Sequence, residues 1–234
     1  MKLIKQLLQF LYPPRCAFCH RILMQDDQIC EHCSANLPYR PKKKRIMKLP
    51  HIDACIAPLS YEGHVRDAVL RYKFYRACGL SDVFAQMMAE CFRQEYFGKI
   101  DVITWVPVSR RRLRKRGYDQ SELLANSLCK LLGRTPERAL IKIRDNPPQS
   151  KKRGQAARRA NVMGVYRATD VDLIGKTVLL IDDVVTTGST VSECAHVLRV
   201  AGAGKVYVLA LAKTPDSQKK IESYQKSGIM NIGE

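Results

Sequence analysis

Short continuous runs of apolar residues recur along the chain, and each run has the length of a β-strand. The clearest lie at 101–106 (DVITWV), at 178–181 (VLLI) and at 205–212 (KVYVLALA), and a further apolar segment covers 52–59. Continuous runs of this length are typical of strands that are buried on both faces, as in a parallel sheet. Pro107 ends the first of these runs, because proline has no N–H to donate.

Between these runs, apolar residues recur at helical spacing. Val65, Val69 and Tyr72 fall on one face of a helix predicted at 63–75. The other predicted helices lie at 79–97, with Val83, Met87, Met88 and Cys91 as core, at 121–132 and at 191–200. Strands that alternate with helices predict an α/β fold in which helices flank a parallel sheet.

The run at 178–181 is followed directly by two carboxylates and then by a loop of small residues. These residues are Asp182, Asp183, Thr186, Thr187, Gly188, Ser189 and Thr190, and the helix at 191–200 comes next. This junction lies at the carboxyl end of a strand, where ligands bind in open α/β sheets. The loop and the helix start offer N–H groups and hydroxyls to a phosphate. The carboxylates would repel a phosphate, so they suit ribose hydroxyls or hydrated Mg²⁺. A solvated strand end with a capping threonine is the alternative.

The loop predicted after the run at 101–106 holds the densest positive charge. Ser109 is followed by Arg110, Arg111, Arg112, Leu113, Arg114, Lys115 and Arg116, so six of eight residues are basic. In a parallel sheet this loop would lie at the same edge as the two carboxylates. Pyrophosphate and a nucleic-acid backbone are both candidate partners, and a solubilising charged turn is the alternative.

A second basic segment at 144–161 combines proline and glycine with five basic residues between Lys151 and Arg159, among them Lys151, Lys152 and Arg153. It has no apolar face, so we predict a loop that could close over a phosphorylated substrate. The net charge of +18 also favours polyanionic partners. The apolar runs are too short for a transmembrane helix. At the start, 1–11 (MKLIKQLLQFL) is interrupted by polar residues and has no small-residue cleavage site, so an amphipathic helix packed on the body is expected.

Four of the nine cysteines form two C-x-x-C pairs separated by ten residues: Cys16, Cys19, Cys30 and Cys33. Two such pairs can complete a tetrahedral Zn²⁺ site of four thiolates. A closed shell leaves no position for a substrate, so the predicted role of the ion is structural. Disulfide pairing is the alternative, but an odd number of cysteines and no leader indicate a reducing cytoplasm.

The segment 178–190 (VLLIDDVVTTGST) resembles the 5-phosphoribosyl-1-pyrophosphate (PRPP) motif of type I phosphoribosyltransferases. The resemblance implies that Asp182 and Asp183 hold the ribose hydroxyls and that 186–190 holds the 5′-phosphate. It also implies a pyrophosphate bridged by Mg²⁺, contacted by Ser109, Arg110 and Arg111 and assisted by Lys73. Some members place an acid at the position of Thr186, which makes purine chemistry less expected here.

Further motifs resemble the ComF family of competence proteins over about residues 12–212. They are YPPR at 12–15 with the cysteine pairs, YEG at 61–63, YK at 72–73, VPVS at 106–109, RGYDQ at 116–120, Gln149, Arg158 and Asn161. The resemblance implies uptake or handling of incoming single-stranded DNA in the cytoplasm during natural transformation, beside a helicase-like ATPase.

Two functions of different class follow: DNA handling with PRPP binding, or phosphoribosyl transfer to an acceptor that the sequence does not identify. We expect single-stranded DNA to contact Arg110, Arg111, Arg112, Arg114, Lys115, Arg116, Tyr118, Lys151, Lys152 and Arg153. The expected domains are a helix and zinc module (1–50), a phosphoribosyltransferase-like domain (51–213) and a polar tail (214–234).

Overall fold

The computed structural model describes residues 13–24, 27–95, 98–144 and 164–215. The expected N-terminal helix at 1–11, most of the basic segment at 144–161 and most of the polar tail lie outside these residues. The elements are, in chain order, α1 (Glu31–Asn36), α2 (Lys42–Arg45), β1 (Ile46–Leu49), β2 (Ile52–Ile56), β3 (Leu59–Ser60), α3 (Gly63–Phe74), α4 (Leu80–Gln94), β4 (Val102–Trp105), α5 (Arg110–Arg116), α6 (Gln120–Leu132), β5 (Leu140–Lys142), β6 (Tyr166–Ala168), β7 (Thr177–Val185), α7 (Ser189–Val200) and β8 (Lys205–Lys213).

The main sheet has the strand order β1-β2-β8-β7-β4, and β3 pairs with β8 beyond the end of β2. All of its pairings are parallel except that of β1 with β2. The apolar segment at 52–59 forms parts of two strands, β2 and β3. Pro58 separates them because it has no N–H for the ladder. The antiparallel strand β1 is an addition that the apolar runs did not predict. β5 and β6 form a separate antiparallel pair.

The inner strand β7, between β8 and β4, is buried on both faces, which explains its continuous apolar run. Leu179 and Ile181 pack into the cluster that contains α3, α4 and α6. Val178 and Leu180 lie in the cluster on the other face, with α7 and β6. Successive side chains of a strand point to opposite faces, so the period of two divides one run between two cores. The predicted α/β layering with a parallel sheet is confirmed.

The cysteine-rich segment shares a core with the larger part of the molecule. Phe18 is fully buried, and its ring centroid lies 6.0 Å from that of Phe84 on α4. Arg71 on α3 donates from Nη2 to the backbone oxygens of Ala17 and Phe18, at 2.6 and 2.8 Å. These contacts hold the cysteine module against α3 and α4.

Candidate functional site

The two carboxylates lie within β7 and not beyond its end, which corrects the expected strand boundary. β7 continues to Val185 because β8 continues beside it to Lys213, and Asp182 is the register partner of Ala210. Asp182 and Asp183 are 8% and 6% exposed. The strand ladder, rather than a loop, therefore fixes the direction of both side chains.

The structure brings two distant residues to these carboxylates. Lys73 Nζ on α3 lies 2.8 Å from Asp183 Oδ1. Ser121 Oγ on α6 donates to Asp182 Oδ1 at 3.2 Å, and the backbone N–H of Asp183 donates to the same oxygen at 2.9 Å. The contact of Ser121 was not predicted, because no local pattern indicates a partner 61 positions away.

The surroundings at this sheet edge shift the pKa values of Asp182 and Lys73. Burial and the neighbouring Asp183 carboxylate raise the pKa of Asp182 to about 7, although Lys73 and the two donors oppose the rise. Burial lowers the pKa of Lys73, but attraction to Asp183 raises it more, so the amine stays protonated. A buried carboxyl with a raised pKa is a feature of ligand-binding and catalytic sites. Carboxylate oxygens are also the donors that Mg²⁺ prefers, so the residues fit that ion.

The small-residue loop follows β7 directly and leads into α7. Gly188 has φ +79° and forms the N-cap of α7, a conformation that favours glycine. A Cβ on Gly188 would lie 2.7 Å from Leu49 Cδ2, so a larger residue would also collide with β1. Thr187 Oγ1 and Ser189 Oγ are 2.9 Å apart and share a hydrogen bond, Thr186 is exposed and Thr190 is half-buried. The loop thus presents hydroxyls at the start of a helix, and binding of a phosphate there stays a prediction.

The basic segment after β4 is a short helix, α5, whereas the sequence analysis expected a loop. Ser109 caps its N-terminus, where Oγ accepts from Arg112 N at 3.3 Å, and Gly117 ends it with φ +84°. Flanking cap residues explain why a segment with six basic residues forms a helix. Arg110, Arg111, Arg112, Arg114 and Lys115 are exposed.

The turn between α5 and α6 links the basic helix to the helix that contacts the carboxylates. Asp119 accepts from Val108 N at 2.8 Å and caps α6, which carries Ser121. Tyr118 is half-buried, its ring centroid lies 6.1 Å from that of Tyr72, and its hydroxyl donates to the backbone oxygen of Tyr72. The contact of Tyr118 with DNA stays a prediction. Lys151, Lys152 and Arg153 lie outside the described residues.

The four cysteines of the two C-x-x-C pairs form one cluster. Their Sγ atoms all lie within 4.8 Å of one another, and those of Cys19 and Cys30 are 3.6 Å apart. All four cysteines are free, and this separation approaches the edge of about 3.8 Å that follows from Zn–S bonds of about 2.3 Å in a tetrahedron. Backbone N–H groups of Cys30 and Cys33 donate to Cys16 Sγ and Cys30 Sγ, each at 3.4 Å.

These sulfur atoms differ in acidity because their surroundings differ. Burial raises the pKa of the Cys16 thiol, but backbone N–H groups of Cys30, Cys19 and Phe18 lower it more, to about 6. Burial and the neighbouring sulfur atoms raise the pKa of Cys33 above its usual range. Four sulfur atoms this close can all become thiolates only with a cation between them, and Zn²⁺ fits both the donor set and the spacing.

Comparison with known families agrees with both parts of the molecule. Residues 7–45 match a family described as double zinc ribbon domain, and residues 119–233 match the phosphoribosyl transferase domain. With the parallel sheet and the cysteine cluster, these matches define a type I phosphoribosyltransferase-like protein with an N-terminal zinc ribbon. The ribbon supports the prediction of structural zinc.

Relatives refine this class. A "DNA utilization protein YhgH" from Salmonella typhi is 29% identical over 206 residues, which cover 85% of this chain and 90% of that protein. "Competence protein F" from Haemophilus influenzae is 26% identical over 89% of this chain and 87% of its own length. "Competence protein ComFC" from Bacillus subtilis is 28% identical over 61% of this chain and 57% of its own. These relatives and the domain match support a ComF-family, type I phosphoribosyltransferase-like protein. Across the parts that the structure describes, no helix has the length and apolarity needed to cross a membrane.

Proposed function

We propose that this chain is a competence protein that handles incoming single-stranded DNA in the cytoplasm during natural transformation. Its phosphoribosyltransferase-like domain binds PRPP. The relatives named for competence and for DNA utilization support the biological role, since two of them match along most of both chains. The resemblance to the family further suggests a helicase-like ATPase as partner.

PRPP would be held at the carboxyl edge of β7. The Asp182 and Asp183 carboxylates would accept from the ribose hydroxyls, and 186–190 would donate to the 5′-phosphate. Mg²⁺ would neutralise the pyrophosphate, and Ser109, Arg110 and Arg111 would lie beside it. Lys73, which is 2.8 Å from Asp183, holds that carboxylate in place before the ligand arrives.

The observation that carries the DNA proposal is the exposed basic helix α5, which is anchored next to this edge. Its neighbour Asp119 accepts from Val108 N and caps α6, and α6 in turn places Ser121 on Asp182. A row of exposed arginines neutralises phosphates without reading sequence. A strand that enters along α5 would therefore pass the PRPP site.

Charge reversal tests the DNA proposal. In the variant Arg110→Glu, Arg111→Glu, Arg112→Glu we expect binding of a labelled single-stranded oligonucleotide to weaken by at least about 100-fold at low salt. The matched control is Lys42→Glu, Lys43→Glu, Lys48→Glu, which changes the net charge equally. Its exposed residues lie at β1 and α2, at the opposite end of the strand order from β4 and α5. Equal affinities in both variants would show that only the overall charge matters and would overturn the proposal.

Phosphoribosyl transfer is the second candidate, and the buried Asp182 favours it. A carboxyl with a raised pKa costs stability when it ionises, and such a cost is typical of residues kept for chemistry or binding. Release of pyrophosphate from PRPP, measured with a panel of acceptors, tests this candidate. Turnover that Asp183→Asn abolishes would establish an enzyme, whereas binding of PRPP without release would leave the site as a binding site alone.

A further inference from the structure

Two exposed aromatic side chains lie next to the sheet edge, at the end of α3. Phe74 is 57% exposed and Tyr75 is 76% exposed. They follow Tyr72, which is fully buried, and Lys73, which reaches Asp183. The end of α3 therefore anchors Tyr72 in the core and Lys73 at the site, and it leaves the two rings of Phe74 and Tyr75 exposed to solvent. Large exposed rings of this kind need an explanation when they adjoin a functional site.

Two arginines adjoin the rings. The Arg116 guanidinium, at the end of α5, lies 4.8 Å from the centroid of the Phe74 ring. Arg76 follows directly and adopts φ +55°, a backbone conformation that non-glycine residues rarely take. The residues from Phe74 to Arg76 thus continue the basic surface of α5, and they add the aromatic faces that α5 does not have.

Tyr75 also faces the zinc ribbon. It lines a cavity of about 1120 Å³ between the ribbon and the helices α3 and α4. Arg15 and Leu80 line the same cavity, as do Asp27 and Asp67. A wall with both charge signs and apolar groups suits a nucleobase, which has donors, acceptors and a ring face, better than it suits a phosphate.

We propose that Phe74 and Tyr75 form the base-stacking surface for single-stranded DNA, with the phosphates on the arginines of α5 and a base at the mouth of the ribbon cavity. The proposal rests on the DNA function proposed above and names its aromatic contacts. Successive bases stack on exposed rings without regard to sequence, whereas a duplex keeps its base faces inside. Charge complementarity favours a polyanion over a protein partner on this surface. Tyr118 would then support the surface from the protein side, since its hydroxyl donates to the backbone oxygen of Tyr72.

Fluorescence gives a direct test, because the only tryptophan, Trp105, is 6% exposed. In the full-length, zinc-loaded Tyr75→Trp variant we expect oligothymidylate to quench the new emission. The matched control is Ile174→Trp, at a position that is 80% exposed and lies beside Gly202, away from α3. Quenching at both positions, or at neither, would contradict stacking at Tyr75.

Measurements of oligothymidylate affinity distinguish failure of the stacking surface from failure of the proposed DNA function. Phe74→Ala with Tyr75→Ala should weaken oligothymidylate binding by roughly 30-fold or more while the salt dependence stays that of the wild type. Tyr39→Ala removes another exposed ring, between α1 and α2, and should bind as the wild type does. If the arginine variant loses binding but the aromatic variant does not, the stacking surface is overturned and the DNA function stands. If the wild type does not bind oligothymidylate, both are overturned.

Discussion

The zinc ribbon and the sheet-edge site both gather polar groups, but they hold them by different means. The four sulfur atoms come from one short segment, residues 16–33, and turns within that segment bring them together. The groups at the edge, on Lys73, Ser121, Asp182 and Asp183, come from three elements that are far apart in the chain. The ribbon needs an ion to hold its charges together, whereas the sheet itself holds the edge. Loss of a ligand atom should therefore unfold the first and leave the second folded.

The largest effect is expected from Cys16→Ser. We predict loss of the bound zinc and a decrease in the free energy of unfolding of about 5 kcal/mol, because a structural ion contributes to folding directly. Cys16 and Phe18 belong to the core shared with α4, so the loss extends beyond the ribbon. Zinc analysis and urea unfolding measure both effects. Cys129→Ser, outside the cluster, should keep its zinc; equal zinc content in the two variants would contradict a four-cysteine site.

Substitution at the sheet edge should change how the free energy of unfolding depends on pH and should leave the protein folded. The pKa of Asp182 is raised to about 7 in the folded protein, above its value in the unfolded chain. The stability this gives is present below pH 4 and is lost as the pH rises through 7. Asp182→Asn removes that loss, so we expect the variant to gain up to about 4 kcal/mol over the wild type between pH 5 and pH 8.

Urea unfolding of both proteins across this pH range measures the difference. Asp101 provides the control, because a hydrogen bond from the backbone N–H of Thr177 lowers its pKa. Asp101→Asn should therefore change stability in acid and show no loss as the pH passes 7. A constant difference between wild type and Asp182→Asn would show that Asp182 is not the titrating group.

Contacts between the two regions should give a smaller effect. Arg71→Met removes both hydrogen bonds to the backbone oxygens of Ala17 and Phe18, and we expect a loss of about 2 kcal/mol with zinc retained. Arg66 is exposed on the same helix and serves as control, since Arg66→Met should change stability by less than about 0.5 kcal/mol. Loss of zinc from Arg71→Met would mean that docking and metal binding are one event.

The smallest effect is expected from Ser121→Ala. Loss of the hydroxyl that donates to Asp182 should cost about 1 kcal/mol above pH 8, where the carboxylate is ionised, and less below pH 6. The pH profile of unfolding measures this difference. Ser127, buried on the same helix, donates to Asp82 instead, so Ser127→Ala tests whether any loss is particular to the edge.

The difference between a local zinc ribbon and a sheet edge built from distant elements also explains which features could be predicted from the sequence. The zinc site follows from spacing, and β7 follows from an apolar run that two faces bury. A loop was expected at 109–116 because six of its eight residues are basic, whereas Ser109 and Gly117 cap a helix there. The contact of Ser121 with Asp182 had no local signal, since only the packing of α6 on the sheet brings the two together. For the same reason, the exposure of Phe74 and Tyr75 depends on how α3 packs.

Titration of PRPP with Mg²⁺ against thermal stability tests the sheet-edge site most directly. At a ligand concentration about 100-fold above Kd, binding adds about 2.7 kcal/mol, which raises Tm by roughly 5–10 °C in a protein of this size. We predict this rise for the wild type and its absence for Asp182→Ala, with the zinc content equal in both. No rise in the wild type, or the same rise in both proteins, would contradict PRPP binding at Asp182 and Asp183.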